Sequence, residues 1–175
     1  VGDHLGLNYI SSVEGLSEVK RVVVRNVSPK GMAVLNAVDP LVVRMTEDCP
    51  GAITFFSIDS ANPIMRTHRA QGKRVVFRDG PDIVCAEGAF ERRLALSAIP
   101  LTRNGTIVFQ IENAMASIAA AWALKLDWPT IEAGLATFVN DAATASGRFN
   151  VFDYRGATVV ADYGHNPDAI EALVQ

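Results

Sequence analysis

In the first half of the chain, short apolar runs alternate with stretches whose apolar residues recur every three or four positions. The runs at 31–37 and 52–58 are bounded by turn residues, as is typical of buried strands. The stretches between and around them have the spacing of amphipathic helices. Strands and helices in alternation favour an α/β fold with a mainly parallel sheet.

Four segments combine a helical pattern with signals for a helix end. Ser11 or Ser12 can cap the first, and Asp39 followed by Pro40 opens the second. The third is rich in alanine, which allows close packing on a sheet. The predicted helices are 13–24, 39–48, 111–126 and 129–139.

Between residues 71 and 97 the apolar runs become shorter and are separated by turn residues at 79–81 and at Gly88. This spacing predicts a small antiparallel meander attached to the α/β core. Its basic residues either form a solvated face or contact an acidic polymer. They are Arg74, Arg78, Arg92 and Arg93.

The end of the chain has the order connection, strand, loop and helix. Residues 140–150 are rich in Ser, Ala and Gly and predict a linker, and the run 158–161 predicts a strand that ends at Asp162. A helix is predicted to begin at Pro167, only a few residues before the last one. Since the chain also has no initiator Met, we expect it to be a piece of a longer protein.

Composition is that of an ordinary globular protein, with 49% apolar and 20% charged residues. The formal charge of -3 is spread over both signs, which argues against nucleic acid as a partner. No apolar run approaches the roughly 20 residues that a membrane span needs. Cys49 and Cys85 form no Cys-x-x-Cys motif, so we expect two buried free thiols in a cytoplasmic protein.

Near the start, Asp3 and His4 are residue types that ligate divalent metals, although a structural role is the simpler interpretation. Lys20 follows sixteen residues after His4 and is predicted to lie toward the inward end of a helix. A solvated lysine is the alternative there. Farther on, Glu112 and Asn113 open the alanine-rich helix, where Asn113 either caps the helix or hydrogen-bonds a purine edge.

The last quarter of the chain holds the remaining candidates. Arg148 follows a glycine in the predicted linker, a position suited to clamping a phosphate, although it could simply be solvated. Asp162 ends a strand, and His165 and Asn166 lie in the following loop. Ligands of α/β sheets bind at the carboxyl ends of strands, so Asp162 either accepts from ribose hydroxyls or caps the turn.

Taken in order, five stretches resemble the Mur ligase family of ATP-dependent amide-forming enzymes, which includes folylpolyglutamate synthetase. The resemblance is closest to the branch that joins arginine to an aspartate polymer, and it covers nearly the whole chain. The stretches are GDHLGL (2–7), AVLNAVDPLV (33–42), FQIENAMASIAAAWAL (109–124), SGRFNVFDYRG (146–156) and VVADYGHNPDA (159–169).

The resemblance implies a central ATPase-type α/β domain over residues 1–146, with a mainly parallel sheet, helices and the antiparallel meander. Residues 147–175 would then be the linker and the start of a Rossmann-like C-terminal domain. ATP would lie between the two domains. The phosphate loop Gly-x-x-x-x-Gly-Lys-Thr/Ser does not occur in the sequence and is expected upstream.

Carried over by position, His4 resembles a magnesium ligand, and Lys20 resembles a lysine that many members carry as a carbamate that ligates metal. Both would be catalytic. The resemblance assigns ATP contacts to the other five candidates: Asn113 would read the adenine amino group, Arg148 would contact the nucleotide and Asp162 the ribose, while His165 and Asn166 would line the same loop. Mg²⁺ and ATP are thus the implied cofactors.

Enzymes of this kind transfer the γ-phosphoryl group of ATP to a carboxylate, and an amine attacks the acyl phosphate. The closest branch implies arginine and an aspartate polymer as substrates, and the chain alone is expected to be inactive. Another Mur ligase, folylpolyglutamate synthetase, or a degenerate module for assembly or polymer binding are the alternatives. Whether the protein forms a homo-oligomer stays open.

The sequence also departs from the family pattern. Many Mur ligases carry His-Asn-x-x-Asn where this chain has Glu112, Asn113 and then Ala116, so one adenine contact is missing. Val38 stands where an acidic residue is frequent, which weakens any role inferred for Asp39.

Overall fold

The computed structural model describes residues 5–6, 9–164 and 167–174. The helices are α1 (Val13–Arg25), α2 (Pro40–Arg44), α3 (Pro63–Ala70), α4 (Val108–Ala123), α5 (Trp128–Thr137) and α6 (Pro167–Val174). The strands are β1 (Met32–Asn36), β2 (Ala52–Ser57), β3 (Val75–Asp79), β4 (Asp82–Glu87), β5 (Phe90–Ala95), β6 (Asn150–Tyr154) and β7 (Ala157–Ala161). Short 3-10 helices occupy Met45–Asp48, Leu96–Ala98 and Pro100–Thr102.

Five strands form one sheet in the order β1-β2-β3-β4-β5. The pairs β1/β2 and β2/β3 are parallel, whereas β3/β4 and β4/β5 are antiparallel. The predicted α/β class is therefore confirmed. The meander is not a separate attachment, because its first strand β3 is itself the third strand of the parallel part.

The sheet is covered by helices on both faces, and successive residues of the central strands point to opposite sides. On β3, Val75 and Phe77 belong to the core under α1, α2 and α3, whereas Val76 belongs to the core under α4 and α5. On β4, Ile83 belongs to the core under α4 and α5, and Val84 belongs to the core under α1, α2 and α3. This two-residue alternation gives a three-layer arrangement with two separate apolar cores.

The helix ends follow the predicted signals in part. Ser12 is the cap of α1, and its Oγ accepts from the Gly15 amide at 3.0 Å. Asp39 caps α2, as predicted, although α2 is short and passes into 3-10 geometry at Met45. Helix α3 was not predicted, and its start is marked by the Asn62 cap and Pro63.

The predicted start of the alanine-rich helix is wrong. Helix α4 begins at Val108, four residues before Glu112, because the apolar residues Val108, Phe109 and Ile111 continue the helical pattern upstream. Asn113 consequently lies in the second turn of α4, and its interpretation as a helix cap is also wrong.

The arginines of the meander are matched by carboxylates and backbone oxygen atoms rather than forming a free basic face. Arg78 donates to the Gly80 carbonyl at 3.2 Å. The ion pairs are Arg74 to Glu87 at 2.9 Å, Arg92 to Glu132 at 2.6 Å and Arg93 to Asp79 at 2.8 Å. These contacts favour a solvated, internally neutralised face over a docking surface for an acidic polymer.

Both cysteines are free, as predicted. Cys85 is buried on β4, where burial raises the pKa of its thiol to about 12, and Cys49 is half-buried. In the part of the chain that the structure describes, no helix is long and apolar enough to cross a membrane.

A buried histidine joins α3 to the sheet. His68 is 8% exposed, its Nε2 lies 3.0 Å from the Ile53 carbonyl oxygen, and its ring meets Phe55 edge to face. Burial lowers the pKa of His68, and the charge of Lys73 lowers it further, although the bond to Ile53 acts in the opposite direction. The folded state therefore favours the neutral imidazole.

We expect the free energy of unfolding to fall as the pH drops below about 6.5, the ordinary pKa of histidine. Below that pH the imidazole of His68 binds a proton in the unfolded chain but stays neutral in the folded chain. The free energy of unfolding therefore falls until the pH reaches the lowered pKa of the folded state. This one group can contribute at most about 1.4 kcal/mol per pH unit. Urea unfolding at several pH values between 7.5 and 5.5 measures the loss.

The matched variant is His68→Gln, which keeps an N–H group for the Ile53 carbonyl and does not titrate. Its unfolding free energy should be lower at neutral pH but should change less between pH 7.5 and 5.5. Equal pH dependence in the two proteins would show that His68 is not the group responsible.

Candidate functional site

A cavity of about 660 Å³ lies between α4, the segment 138–148 and α6. Its size is in the range of about 300–1,000 Å³ that is usual for small-molecule sites. One part of the lining is apolar and the other carries amide, hydroxyl, guanidinium and carboxylate groups. The lining residues are Leu101, Phe109, Gln110, Asn113, Ser117, Phe138, Asn140, Ala145, Arg148, Asp162, Ala169, Ala172 and Leu173.

Helix α4 presents one polar stripe to this cavity. Ile111, Ala114, Met115 and Ile118 are buried against the sheet and α5, whereas Gln110, Asn113 and Ser117 line the cavity. The Asn113 Nδ2 atom donates to Gln110 Oε1 at 3.1 Å. This bond leaves the Oδ1 atom of Asn113 as the side-chain atom that can accept from a ligand.

The predicted linker is a hydrogen-bonded turn rather than an open connection. The Asp141 carboxylate accepts from the amides of Ala143 and Thr144 at 2.9 and 2.8 Å, and these bonds lower the pKa of Asp141, the contacts with Thr144 most. Buried Asn150 donates to the Ala145 carbonyl at 3.0 Å and accepts from the Gly147 amide at 2.7 Å. The backbone on either side of Arg148 is thereby fixed.

Asp162 ties the end of β7 to this turn. Its Oδ2 atom accepts from the Phe149 amide at 2.7 Å, and the Tyr163 amide donates to the Gly147 carbonyl at 2.8 Å. Phe149 has φ of 54° and Gly147 has φ of 69°, so Arg148 lies between two residues of left-handed backbone. The Phe149 conformation is costly for a residue with a side chain, which indicates that these contacts hold it in place.

The turn is also fastened to α4 by an aromatic contact. The rings of Phe109 and Phe149 meet edge to face with centroids 5.3 Å apart. Arg148, next to Phe149, lines the cavity with an exposed side chain. No carboxylate of the described residues forms an ion pair with its guanidinium, so the cation is available to an anionic ligand.

The structure thus brings together three of the residues that the sequence singled out, Asn113, Arg148 and Asp162, although they come from three separate segments. His4, His165 and Asn166 lie outside the described residues. Lys20 does not line the cavity, because it lies on α1 on the opposite face of the sheet. It is half-buried there, one turn from Leu16 and one turn from Val24.

Two amide side chains of the lining were missed: Gln110 lies before the predicted helix, and Asn140 is the first residue of the predicted linker. Asn140 is notable because its Oδ1 atom is buried and accepts no hydrogen bond. Glu112, by contrast, does not line the cavity. It is half-buried against Asn36 at the end of β1, and burial raises its pKa although the hydrogen bond with Asn36 lowers it.

The comparisons with known proteins agree with the fold. Over 173 residues, 98% of this chain, it is 36% identical to cyanophycin synthetase from Synechocystis sp. and 38% identical to that from Crocosphaera subtropica. Over 174 residues it is 30% identical to UDP-N-acetylmuramate--L-alanine ligase from Pelobacter propionicus, of which it covers 34%. The chain is related to the cyanophycin synthetases and the Mur ligases. No family model matches it.

The resemblance to the Mur ligases that the motifs indicated is therefore confirmed. The relatives of the chain are named as synthetases and ligases. The chain spans only about a fifth of the length of the cyanophycin synthetases it matches, since it covers 20% of each of the two given above. The α/β sheet with its antiparallel strands is consistent with a domain of the Mur ligase type.

Replacing Asp162 by alanine should loosen the turn that carries Arg148. The Phe149 amide is partly buried and would lose its acceptor, which typically costs about 1 kcal/mol or more of stability. We expect faster hydrogen exchange of that amide and a lower unfolding midpoint. Asp162→Asn keeps an acceptor oxygen and should change both less.

Asp153→Ala is the control for this comparison, because its Oδ1 atom also accepts from a turn amide, Gly156, at 3.3 Å, but at an exposed hairpin. It should leave the Phe149 amide protected. If Phe149 exchanged as slowly in Asp162→Ala as in the unchanged protein, the turn would not depend on this carboxylate.

Proposed function

We propose that this chain is part of an ATP-dependent ligase that forms amide bonds, and that the cavity between α4, the turn and α6 holds the adenosine end of ATP. The observation that carries the proposal is the meeting of Asn113, Arg148 and Asp162 in one cavity. The motif resemblance assigns these same three residues to the adenine amino group, the nucleotide and the ribose.

The chemistry of the lining fits such a ligand. Phe109, Phe138 and Leu101 supply apolar walls for a planar base, and the Oδ1 atom of Asn113 offers an acceptor to its amino group. The second carboxylate oxygen of Asp162, the one not bonded to Phe149, is the natural acceptor for ribose hydroxyls. Arg148 supplies a planar guanidinium, the group best suited to two oxygens of a phosphate.

ATP serves as the substrate that activates a carboxylate, by transfer of its γ-phosphoryl group, for attack by an amine. Charge must be spread over anionic oxygens in both steps, so a cation beside the phosphates stabilises them. In this chain Arg148 supplies a positive charge held in place by the turn. Asn113 and Asp162 orient the nucleotide and take no part in proton transfer.

The magnesium site is proposed on the resemblance alone. Among the described residues no group of three or more His, Cys, Asp or Glu side chains could hold a metal ion. Lys20 is the one proposed ligand within them, and a lysine ligates a metal only after it loses its charge or forms a carbamate. His4 is the other proposed ligand.

We further propose arginine and an aspartate polymer as the substrates, because cyanophycin synthetases are among the relatives. The amine would be the α-amino group of arginine and the activated group the β-carboxylate of an aspartate. A cytoplasmic location fits the two free thiols.

The test is an ATP-to-ADP assay on the complete protein that carries this chain, with a β-aspartyl-arginine primer and with arginine or aspartate added separately and together. ADP release should require the primer and respond to arginine. The 175-residue chain alone should release no ADP. ATP use only with an unrelated acceptor would contradict the proposed substrates, and no ATP use at all would contradict the ligase assignment.

In the same assay Arg148→Ala should lower kcat/KM by about 10- to 100-fold, since a charge-assisted contact to phosphate is worth about 1.5–3 kcal/mol. The matched control is Arg66→Ala, which removes an exposed arginine from α3 in the opposite layer. Equal effects of the two changes would show that Arg148 has no special place in the reaction.

A further inference from the structure

Both tryptophans of the chain lie in one aromatic cluster at the end of α4 that is farther from the cavity. Trp122 is in the last turn of α4, Trp128 begins α5, and Phe90 begins β5. The centroids of the two indole rings are 5.3 Å apart, and each lies 5.7 Å from the Phe90 centroid. The tryptophans are half-buried, whereas Phe90 is 40% exposed. We call these three rings the aromatic patch.

Each tryptophan of the aromatic patch carries a guanidinium group over its ring. The Cζ atom of Arg74 lies 3.9 Å from the ring centroid of Trp122, and that of Arg92 lies 5.3 Å from the centroid of Trp128. The cation is attracted by the negative face of the indole ring. The patch therefore holds two arginine side chains of its own by stacking.

Two carboxylates at the edge of the patch bind these arginines through one oxygen each. Glu87 Oε2 accepts from Nε and Nη2 of Arg74 at 3.2 and 2.9 Å. Glu132 Oε1 accepts from Nε and Nη2 of Arg92 at 2.7 and 2.6 Å. No described residue hydrogen-bonds to the second oxygen of either carboxylate. Since these glutamate side chains are 42% and 39% exposed, the second oxygens can accept from a donor in a ligand.

A guanidinium group is the ligand that fits this combination of rings and carboxylates. It is planar, stacks on aromatic faces and donates in its own plane to carboxylate oxygens. A polymer that carries only carboxylates fits less well, because Arg74 and Arg92 are both ion-paired and offer it no unpaired cation. The charges of the patch thus favour a ligand that is rich in arginine side chains.

We propose that the aromatic patch binds arginine side chains of the polymer that the enzyme extends. The inference rests on the proposed function, which supplies that polymer. Asn113 in the cavity and Trp122 in the patch are nine residues apart on α4, or about 14 Å at 1.5 Å per residue. A polymer must be several repeat units long to reach both. The patch therefore contributes to the affinity for long polymers and takes no part in the chemical step.

Tryptophan fluorescence of the 175-residue chain tests the binding, because both tryptophans lie in the patch. A peptide of four β-aspartyl-arginine units should change the emission until the patch is saturated. The matching citrulline peptide, whose side chains end in a neutral urea group, should bind about tenfold more weakly. Poly-aspartate should leave the emission unchanged. Equal affinities for the arginine and citrulline peptides would overturn the inference.

Substitutions of the two carboxylates and of one arginine should have opposite effects on this affinity. The double change Glu87→Gln and Glu132→Gln should weaken binding of the arginine peptide by about tenfold, since it removes two exposed ionic contacts. Arg92→Gln should strengthen binding, because it releases Glu132 and a face of Trp128 for the peptide. Weaker binding by Arg92→Gln would contradict the inference, since the peptide would then be held through its own carboxylates.

The control is Glu18→Gln, which removes a similar exposed carboxylate from α1 in the opposite layer. Glu18 pairs with Arg21 at 3.2 Å, and its side chain is 55% exposed. This change should leave the affinity for the arginine peptide as it is. A loss as large as that of the double variant would show a general effect of charge rather than a site at the patch.

In the complete protein, the double variant should raise KM for a primer of eight repeat units by about tenfold. Its kcat, and its KM for a primer of two units, should not change. An unchanged KM for the long primer would also overturn the inference. The failure of the proposed function has a different signature, because the complete protein would then use no ATP with either primer. The fluorescence titration would still decide whether the patch binds arginine side chains.

Discussion

The candidate site depends on one hydrogen bond, from the Phe149 amide to the Asp162 carboxylate at 2.7 Å. It joins the end of β7 to the turn after α5, and the ring of Phe149 joins that turn to Phe109 on α4. Arg148 is adjacent to Phe149 in the sequence, so the contacts of Phe149 also position the backbone of Arg148. Without this bond, the turn would be joined to the end of β7 mainly through the Tyr163 amide and the Gly147 carbonyl, and Arg148 would be held less firmly beside the carboxylate.

The large sheet supplies the rigid side of the site. Helix α4 packs across the sheet through Ile111, Ala114, Met115 and Ile118, and this packing determines the direction of its polar stripe. The charged groups come instead from the turn and the end of β7, which are held mainly by hydrogen bonds. A rigid helix that carries amide side chains and a more weakly held segment that carries charge suit a ligand with one apolar and one anionic end.

The sequence was sufficient for the α/β class and most strands of the large sheet, because burial on two faces leaves a regular pattern. The strand before Asp162 is exposed and was predicted instead from its β-branched residues and the turn residues that follow. Prediction from the sequence failed where the pattern was short or where the feature depends on tertiary contacts. Helix α3 has eight residues, too few for a clear period, and the first turn of α4 was hidden in an apolar run. Asn140 could not be identified, since its importance comes from a bond to the Arg148 carbonyl. The proximity of Asn113, Arg148 and Asp162 was likewise expected only from resemblance, since no local pattern encodes it.

The proposed occupant of the cavity between α4, the turn and α6 is an adenine nucleotide. Photolabelling with 8-azido-ATP, followed by mass spectrometric mapping of the labelled peptides, locates its binding site. We predict label within 109–117 or 138–148, and its loss when unmodified ATP is added in excess. Label confined to α1, α2 or the meander, and displaced by ATP there, would show that the nucleotide binds elsewhere.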